Sequence, residues 1–281
     1  MINTAQRYLQ ILKRQKRPWK FLGSRILWRS RLCSFFEIEK GNYRLKFHPT
    51  ALSAILWIDP QDRAGDESFL QRYLKEGDTV VDVGANIGHL ALQASVLVGA
   101  GGKVYCVEAH PRIYKFLCKN VALNQFSNMV LFNLALGNKA SEILFSDTRG
   151  DDQNRVTENG SGIPVKMMRL DDLSIAEDSI ELLKIDVEGY EKFVLEGAQQ
   201  TLGKVSCIYI ESYEPHFGRY GYGCGDVISL LENSGFRLFR LWACDSIVPV
   251  DSSYSSSYCE NLIAIRSLEA FLERTRFRIA A

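Results

Sequence analysis

The sequence predicts a doubly wound α/β protein, in which helices cover both faces of a mainly parallel sheet. Three observations predict this fold. Strand-like apolar segments alternate with amphipathic helical segments over most of the 281 residues. A glycine-containing turn, residues 82–88 (DVGANIG), links an apolar strand to a helix. The last two predicted strands are joined without a helix, which favours an antiparallel last strand.

The N-terminal residues are strongly basic. Residues 1–36 contain nine Lys or Arg and no Asp or Glu, and their apolar positions predict two short amphipathic helices broken at Pro18. Such a segment is typical of an appendage that binds a membrane surface or a polyanion. It is equally typical of a capping helix with a solvated basic face. The sequence leaves these alternatives open.

The segments that follow predict a hairpin and then the main domain. Residues 35–40 and 43–48 alternate in polarity around Gly41-Asn42, a pattern typical of a β-hairpin. We therefore expect a basic helical extension with a hairpin over residues 1–48 and the main domain over residues 49–281.

The main domain is expected to contain seven alternating strands and their helices. The strands are predicted near residues 79–83, 103–107, 129–134, 181–186, 206–210, 236–241 and 261–265. The helices are predicted near residues 49–57, 67–75, 88–98, 111–123, 190–201, 225–234 and 267–275. Polar residues rich in Gly and Asp interrupt this alternation at 137–170. An insertion over the active face, with two further strands at 142–145 and 163–169, is expected there.

The glycine turn predicts a nucleotide-type ligand. Such a turn aims backbone N–H groups and the positive end of a helix at a bound group. Glu108 follows the strand 103–107, where a carboxylate can accept both hydroxyls of a ribose. Dinucleotide sites have a second glycine in the middle of the turn, where a pyrophosphate touches the backbone, but this chain has Asn86. A ligand with a ribose and no pyrophosphate, such as S-adenosylmethionine, therefore fits better.

Two acidic residues follow a strand that is expected to lie beside the glycine turn. Asp186 ends the strand 181–186, and Glu188 lies in the turn after it. If the glycine turn follows the first strand of the sheet, this fourth strand is its neighbour across the point where strand order reverses. Both carboxylates would then face the reactive end of the nucleotide. The alternative interpretation makes Asp186 a strand-end cap and Glu188 a helix-start acid.

A third acid and two histidines complete the candidates. Glu211 follows the strand 206–210, and His216 comes shortly after it. With the other acids they could provide a general base or bind a divalent metal, and no spacing in the sequence decides between the two. His89 lies just after the glycine turn and could line the ligand pocket. Each of these residues alone is also common in a structural role.

Composition and charge indicate which partners and which cellular compartment to expect. The 34 basic and 33 acidic residues give no overall attraction to nucleic acid. Seven cysteines without a C-x-x-C pair favour free thiols in a reducing, cytoplasmic compartment. No apolar run approaches the roughly 20 residues of a membrane helix, and no signal-peptide pattern is seen. We expect a cytoplasmic protein, with peripheral membrane contact through residues 1–36 as the open alternative, and the oligomeric state is not predicted.

Several motifs, in order, resemble those of FkbM-type methyltransferases. These motifs are residues 80–88 (VVDVGANIG), 134–137 (LALG), 170–173 (LDDL), 183–191 (LKIDVEGYE), 195–198 (LEGA) and 261–262 (NL). The resemblance implies a Rossmann-like, seven-stranded class I methyltransferase fold with S-adenosylmethionine as cofactor. It also implies methyl transfer to a hydroxyl of a sugar, glycan, lipid or polyketide-type acceptor.

The predicted site combines these observations. The residues expected to bind the cofactor are Asp82, Gly84, Ala85, Asn86, Gly88, His89, Glu108, Ala109, Ala135 and Asp186. Asn86 and nearby N–H groups are expected to hold the methionine end, and Glu108 the ribose. The catalytic candidates are Asp186, Glu188, Glu211 and His216, with Asp186 as the first choice. The alternatives are a nucleotide-dependent oxidoreductase, which Asn86 disfavours, and a non-catalytic scaffold held at a membrane by its basic N-terminus.

Overall fold

The computed structural model describes residues 17–30, 32–147, 154–157, 162–243 and 245–280. In chain order the strands are β1 (Glu37–Glu39), β2 (Arg44–Lys46), β3 (Thr79–Val83), β4 (Lys103–Val107), β5 (Met129–Phe132), β6 (Ala135–Leu136), β7 (Ser141–Phe145), β8 (Val156–Thr157), β9 (Ile163–Met168), β10 (Ile180–Ile185), β11 (Val205–Ser212), β12 (Arg237–Ala243), β13 (Ser246–Val250), β14 (Glu260–Ile265) and β15 (Arg278–Ile279). The α-helices are α1 (Pro18–Arg29), α2 (Ala51–Ile58), α3 (Ala64–Tyr73), α4 (His89–Val98), α5 (Pro111–Asn124), α6 (Glu191–Glu196), α7 (Glu214–Phe217), α8 (Cys224–Asn233) and α9 (Leu268–Thr275).

The central sheet has the strand order β15-β13-β12-β14-β11-β10-β3-β4-β5. The strands from β11 to β5 are parallel, whereas β14 runs antiparallel to both β11 and β12. This confirms the predicted Rossmann-like, mainly parallel sheet with an antiparallel last strand. Because β3 and β10 are direct neighbours, the glycine turn and Asp186 follow adjacent strands, as predicted.

The sheet contains two strands more than the seven predicted. β13 pairs antiparallel with β12, and the short β15 pairs parallel with β13. β13 was not predicted from the sequence, because Pro249 interrupts a short segment and proline cannot donate to a sheet ladder. Proline is tolerated near the edge of a sheet, which is where β13 lies.

The apolar strands are buried on both faces of the sheet. Alternate residues of β10 point to opposite sides, so that Leu183 packs into one hydrophobic cluster and Leu182 into another. Both side chains are fully buried. This two-sided burial explains why the strands read as nearly continuous apolar runs, as is usual for parallel sheets covered by helices.

The N-terminal elements pack on the main domain. The predicted hairpin is confirmed as β1 and β2, and the side chains of Asn120 and Asn124 in α5 accept hydrogen bonds from the β2 backbone. The second predicted N-terminal helix is confirmed as α1, while the first falls on residues 1–16, outside the described residues. The domain boundary at residue 48 stays a prediction. No described helix combines the length and apolar composition needed to cross a bilayer.

The predicted insertion forms a separate small sheet. Its strands have the order β6-β9-β7-β8, and β7 runs antiparallel to β9. Both strands were predicted from the sequence. Phe145 and Val156 of this sheet line the cleft described below, so the insertion does lie over the candidate site.

Candidate active site

The glycine turn comes directly after β3 and touches the loop after β10. Gly84 has φ +84° and Gly88 has φ +89°, in the left-handed region that favours glycine. A Cβ atom on Gly84 would lie 1.8 Å from the carbonyl oxygen of Asp186, so only glycine fits there. Asn86 adopts the same region at φ +51°. That conformation is uncommon for a residue with a side chain and tends to occur at functional sites.

The backbone N–H groups of this turn are engaged within the protein. Gly84 and Ala85 donate to the carbonyl oxygen of Val107. Asn86 donates to Oε2 of Glu108 at 2.9 Å. These three N–H groups hold the turn against β4 and the residue after it, and the expected contact of Asn86 and nearby N–H groups with the methionine end of the cofactor stays a prediction.

Glu108 follows β4 and has only 8% of its surface exposed. Its carboxylate accepts the N–H of Asn86 and, at 2.8 Å, the N–H of His110. These bonds fix the orientation of the group. A carboxylate has about four lone pairs, so the same group can also accept ribose hydroxyls. Ala109 and Ala135 lie in the same cleft, where their small side chains leave room for a ligand.

A cleft of about 380 Å³ opens at the carboxyl ends of β3, β4, β10 and β11. Ligands of open α/β sheets bind at this edge, where the strand order reverses. All predicted site residues except Gly88 line the cleft: Asp82, Gly84, Ala85, Asn86, His89, Glu108, Ala109, Ala135, Asp186, Glu188, Glu211 and His216. The fold therefore brings the cofactor candidates and the catalytic candidates into one cavity.

Lys184 is a buried residue of the cleft that was not predicted from the sequence. It lies in β10 and is 6% exposed, with Nζ 3.1 Å from Oδ1 of Asp82 and 3.4 Å from Oδ2 of Asp186. Burial alone would lower the pKa of Lys184, but the two carboxylates raise it above its usual value, so the lysine is charged. Lys184 therefore links Asp82 to Asp186. The signal was a lysine inside an apolar strand, since a buried lysine needs a partner.

Asp186 presents its carboxylate to the cleft. Its side chain is 39% exposed, while Oδ2 lies beside Lys184. Desolvation in the cleft and the nearby charge of Glu211 raise the pKa of Asp186 to about 6, against the opposing effect of Lys184. A carboxylate with this pKa is ionised at neutral pH and is a better proton acceptor than an ordinary aspartate.

Glu188, Glu211 and His216 form a second group in the cleft. Nδ1 of His216 lies 3.4 Å from Oε2 of Glu188 and 3.5 Å from Oε2 of Glu211. One possible ligand atom from each residue lies within 4.8 Å of the others, an arrangement that suits a divalent cation. Burial would raise the pKa of Glu211, but hydrogen bonds from His216 and Cys259 lower it. The group can therefore bind a cation or orient an acceptor.

The loop that carries Glu188 is held by a buried acid. Glu188 has φ +57°, and the next residue, Gly189, has φ +103°. A Cβ atom on Gly189 would lie 2.6 Å from the carbonyl oxygen of His216, so the glycine permits this close approach. Oε1 of the fully buried Glu191 accepts the N–H of Val187 at 2.9 Å and that of Gly189 at 3.3 Å. These contacts hold Glu188 beside His216.

His89 lines the cleft, as predicted, and its ring also contacts two protein groups. Nδ1 lies 2.9 Å from the hydroxyl of Tyr43, and Nε2 lies 3.1 Å from Oε1 of Glu67. Burial lowers the pKa of His89, although Glu67 opposes this effect. The predicted cofactor contact of His89 stays a prediction. Through Tyr43 and Glu67, His89 also joins the hairpin and α3 to the helix that follows the glycine turn.

Further cleft residues come from segments without a recognisable motif. Arg63 and Asp66 lie at the start of α3, Phe145 and Asn154 belong to the insertion, and Cys259 precedes β14. They are distant from the motifs in sequence, and only the folded chain brings them to the cleft.

A family model described as "Methyltransferase FkbM domain" matches residues 82–238, which is more than half of the chain. The chain belongs to this family. The match begins at the glycine turn and includes Glu108, Lys184 and Asp186. The resemblance seen in the motifs is thereby confirmed, and this FkbM-family protein is an S-adenosylmethionine-dependent methyltransferase.

The individual proteins that this chain resembles share a low sequence identity with it. The 2-O-methyltransferase NoeI of Sinorhizobium fredii (strain NBRC 101917 / NGR234) is 26% identical over 211 residues, which cover 67% of this chain and 78% of NoeI. A methyltransferase structure from Aquifex aeolicus is 18% identical, with a TM-score of 0.47 over 79% of this chain and 100% of its own. An FkbM structure from Methylobacillus flagellatus KT is 13% identical, with a TM-score of 0.42 over 75% of this chain and 52% of its own. Because both TM-scores are below 0.5, the fold assignment depends on the observed strand order.

Replacing Glu108 with alanine is expected to weaken S-adenosylhomocysteine binding by about 1.5–3 kcal/mol. The substitution removes the proposed acceptor of the ribose hydroxyls and the bond that orients the N–H of Asn86. Isothermal titration calorimetry checks this, with Glu142→Ala on the exposed side of β7 as the matched control. Unchanged affinity in a folded Glu108→Ala protein would remove Glu108 from the cofactor site.

Proposed function

We propose that this FkbM-family enzyme transfers the methyl group of S-adenosylmethionine to a hydroxyl of a sugar, glycan, lipid or polyketide-type acceptor. The observation that carries the proposal is the position of Asp186, a partly exposed carboxylate of raised pKa at the cleft. The printed description of NoeI as a 2-O-methyltransferase supports an oxygen acceptor.

The strand register supports a cofactor position between Glu108 and Asp186, across the glycine turn. Val83 lies level with Val107 in β4 and with Ile185 in β10. Glu108 and Asp186 therefore follow at the same height on either side of the glycine turn. With strands about 4.8 Å apart, the backbones of Glu108 and Asp186 are separated by roughly 10 Å, a span that the ribose and the methionine end of one cofactor can bridge.

The proposed reaction is a direct displacement. The acceptor oxygen attacks the methyl carbon in line with its bond to sulfur, that bond breaks, and S-adenosylhomocysteine is released. The hydroxyl proton passes to the carboxylate of Asp186. Holding the acceptor oxygen within about 3 Å of the methyl group contributes much of the rate, because the reaction no longer depends on a chance encounter.

Lys184 and Asp82 support this role by positioning the base. A buried charged lysine between two carboxylates restricts the side chain of Asp186 to one orientation. Lys184 lowers the pKa of Asp186, whereas the negative charge of Glu211 raises it by favouring the protonated form. The balance of these effects supports a carboxylate that takes up a proton more readily than an exposed aspartate does.

The two alternative functions fit the site less well. Hydride transfer from a dinucleotide would need a backbone approach in the turn that the side chain of Asn86 opposes. A non-catalytic scaffold would need neither the buried Lys184 nor a polar cleft. Family membership also favours methyl transfer over both.

The proposal is tested by incubating the protein with methyl-labelled S-adenosylmethionine and a panel of sugar, glycan, lipid and polyketide hydroxyl acceptors. Nuclear magnetic resonance of the products should show a labelled methyl ether. Label on nitrogen, carbon or sulfur in place of oxygen would contradict the proposal. An amine analogue of each accepted substrate is the matched control.

Turnover is expected to stay within about twofold of its normal value in the presence of EDTA. The reason is that Asp186 can accept the proton without a cation. The same assay, with and without chelator, checks this. If EDTA abolishes turnover and Mg²⁺ or Mn²⁺ restores it, Glu188, Glu211 and His216 are better interpreted as metal ligands that activate the acceptor hydroxyl.

A further inference from the structure

The described N-terminal residues expose a concentration of large apolar side chains. Eight such side chains are prominent on the described surface, and five of them lie between residues 19 and 36: Trp19, Ile26, Leu32, Phe35 and Phe36. Trp19 is 83% exposed and Phe35 is 79% exposed. We call these five side chains the N-terminal apolar surface. Proteins that remain monomeric in water rarely expose such a concentration without a binding function.

The structure shows why two of these side chains, Trp19 and Ile26, do not pack on the main domain. In α1 the opposite positions, Phe21 and Ser24, are buried and face the protein. Trp19 and Ile26 are seven residues apart, which is two helical turns, so they lie on the same side of α1. The inner side of α1 packs on α2, and the outer side is exposed.

The same segment carries uncompensated positive charge. Arg17, Lys20, Arg25 and Arg29 are all exposed, and none of them forms an ion pair within the described residues. The first acidic residue in the chain is Glu37. The charged side chains of α1, and Arg17 before it, are therefore all positive.

We propose that the N-terminal apolar surface docks on an anionic lipid bilayer. Aromatic and aliphatic side chains on one side of a basic helix insert at the level of the lipid headgroups, and the neighbouring cations bind anionic lipids. Each cation near such a surface strengthens binding roughly fivefold. The positive charge of α1 favours a negatively charged partner, and the exposed aromatic rings favour one with an apolar interior.

The docking surface is coupled to the cleft through α2. Trp57, near the end of this helix, lies against α1, where a Cβ atom on Gly23 would be 3.4 Å from its ring. Leu52, near the start of the same helix, lines the cleft. Docking through α1 would therefore hold the domain that contains the cleft at the lipid surface. A lipid-linked glycan could then present its acceptor hydroxyl to the enzyme at the same surface. This extension rests on the proposed function.

The full-length protein is tested by flotation with two kinds of vesicle, phosphatidylcholine alone and equal parts of phosphatidylcholine and phosphatidylglycerol. We expect flotation with the anionic vesicles only, and less of it at high salt. The double variant Trp19→Ser/Ile26→Ser should bind about tenfold or more weakly. The matched control is Trp242→Ser in β12, which removes another exposed tryptophan, 60% exposed, and should bind normally.

Several outcomes would overturn the docking proposal. They are equal flotation of the double variant and the unaltered protein, equal flotation with both kinds of vesicle, or no flotation at all. Sedimentation that shows an oligomer which the double variant dissociates, without vesicle binding, would assign the surface to contact between copies of the chain. Thermal unfolding should show the same midpoint for all variants, because every altered side chain is exposed. None of these measurements depends on methyl transfer, so failure of the docking proposal can be distinguished from failure of the proposed function.

Discussion

Replacing Asp186 with asparagine is expected to lower turnover by about 100-fold or more, while the affinity for S-adenosylhomocysteine stays within about twofold. The amide keeps the size and shape of the side chain but cannot accept the hydroxyl proton. Its neutral charge also leaves Lys184 with one carboxylate partner, Asp82. Steady-state kinetics and calorimetry on the same preparation measure the two quantities.

The matched control lies at the other end of the same strand. Asp178 precedes β10 and is exposed, so Asp178→Asn should leave both turnover and affinity unchanged. Because Asp186 must be ionised to act as the base and its pKa is raised to about 6, kcat/KM should fall roughly tenfold per pH unit below about pH 6. Normal turnover by Asp186→Asn would transfer the role to Glu188 or His216, or show that no base is needed.

Replacing Gly84 with alanine is expected to lower the free energy of unfolding by about 3–5 kcal/mol and to abolish cofactor binding. The added Cβ would lie 1.8 Å from the carbonyl oxygen of Asp186 and 2.9 Å from its carbonyl carbon. The positive φ of 84° adds strain that alanine cannot relieve. Relief of the contact would require the turn and the loop after β10 to separate, and these two segments form the cleft.

A glycine elsewhere provides the matched control for Gly84. Gly65 lies in α3, and a Cβ atom there would have no neighbour within 4 Å. Gly65→Ala should therefore be neutral or raise the free energy of unfolding by up to about 1 kcal/mol. Urea unfolding and S-adenosylhomocysteine titration compare the two variants. A Gly84→Ala protein with normal stability and affinity would contradict the close approach of the two loops.

Most of the sheet could be predicted from the sequence because its strands are buried on both faces. Continuous apolar runs of five or six residues, separated by helical segments, leave few other arrangements. The adjacency of β3 and β10 followed from the rule that ligands bind where the strand order reverses. Glu108 and Asp186 could be placed at one edge of the sheet for the same reason.

Other features depend on contacts that no local pattern records. Lys184 lies opposite Asp82 only because of the register between β10 and β3. The cleft residues Phe145 and Asn154 come from an insertion whose packing is not encoded in any motif. His89 could be placed at the pocket by its position after the glycine turn, but its contacts with Tyr43 and Glu67, both distant in sequence, could not be predicted.

The central claim is that the cleft between β3 and β10 holds S-adenosylmethionine, and calorimetric titration with S-adenosylhomocysteine tests it most directly. We expect saturable binding with one site per chain, no heat with NAD, and no effect of NAD on the S-adenosylhomocysteine titration. Binding of NAD in place of S-adenosylhomocysteine would contradict the claim and favour an oxidoreductase. Binding of neither ligand by the folded protein would also contradict it and favour the non-catalytic scaffold.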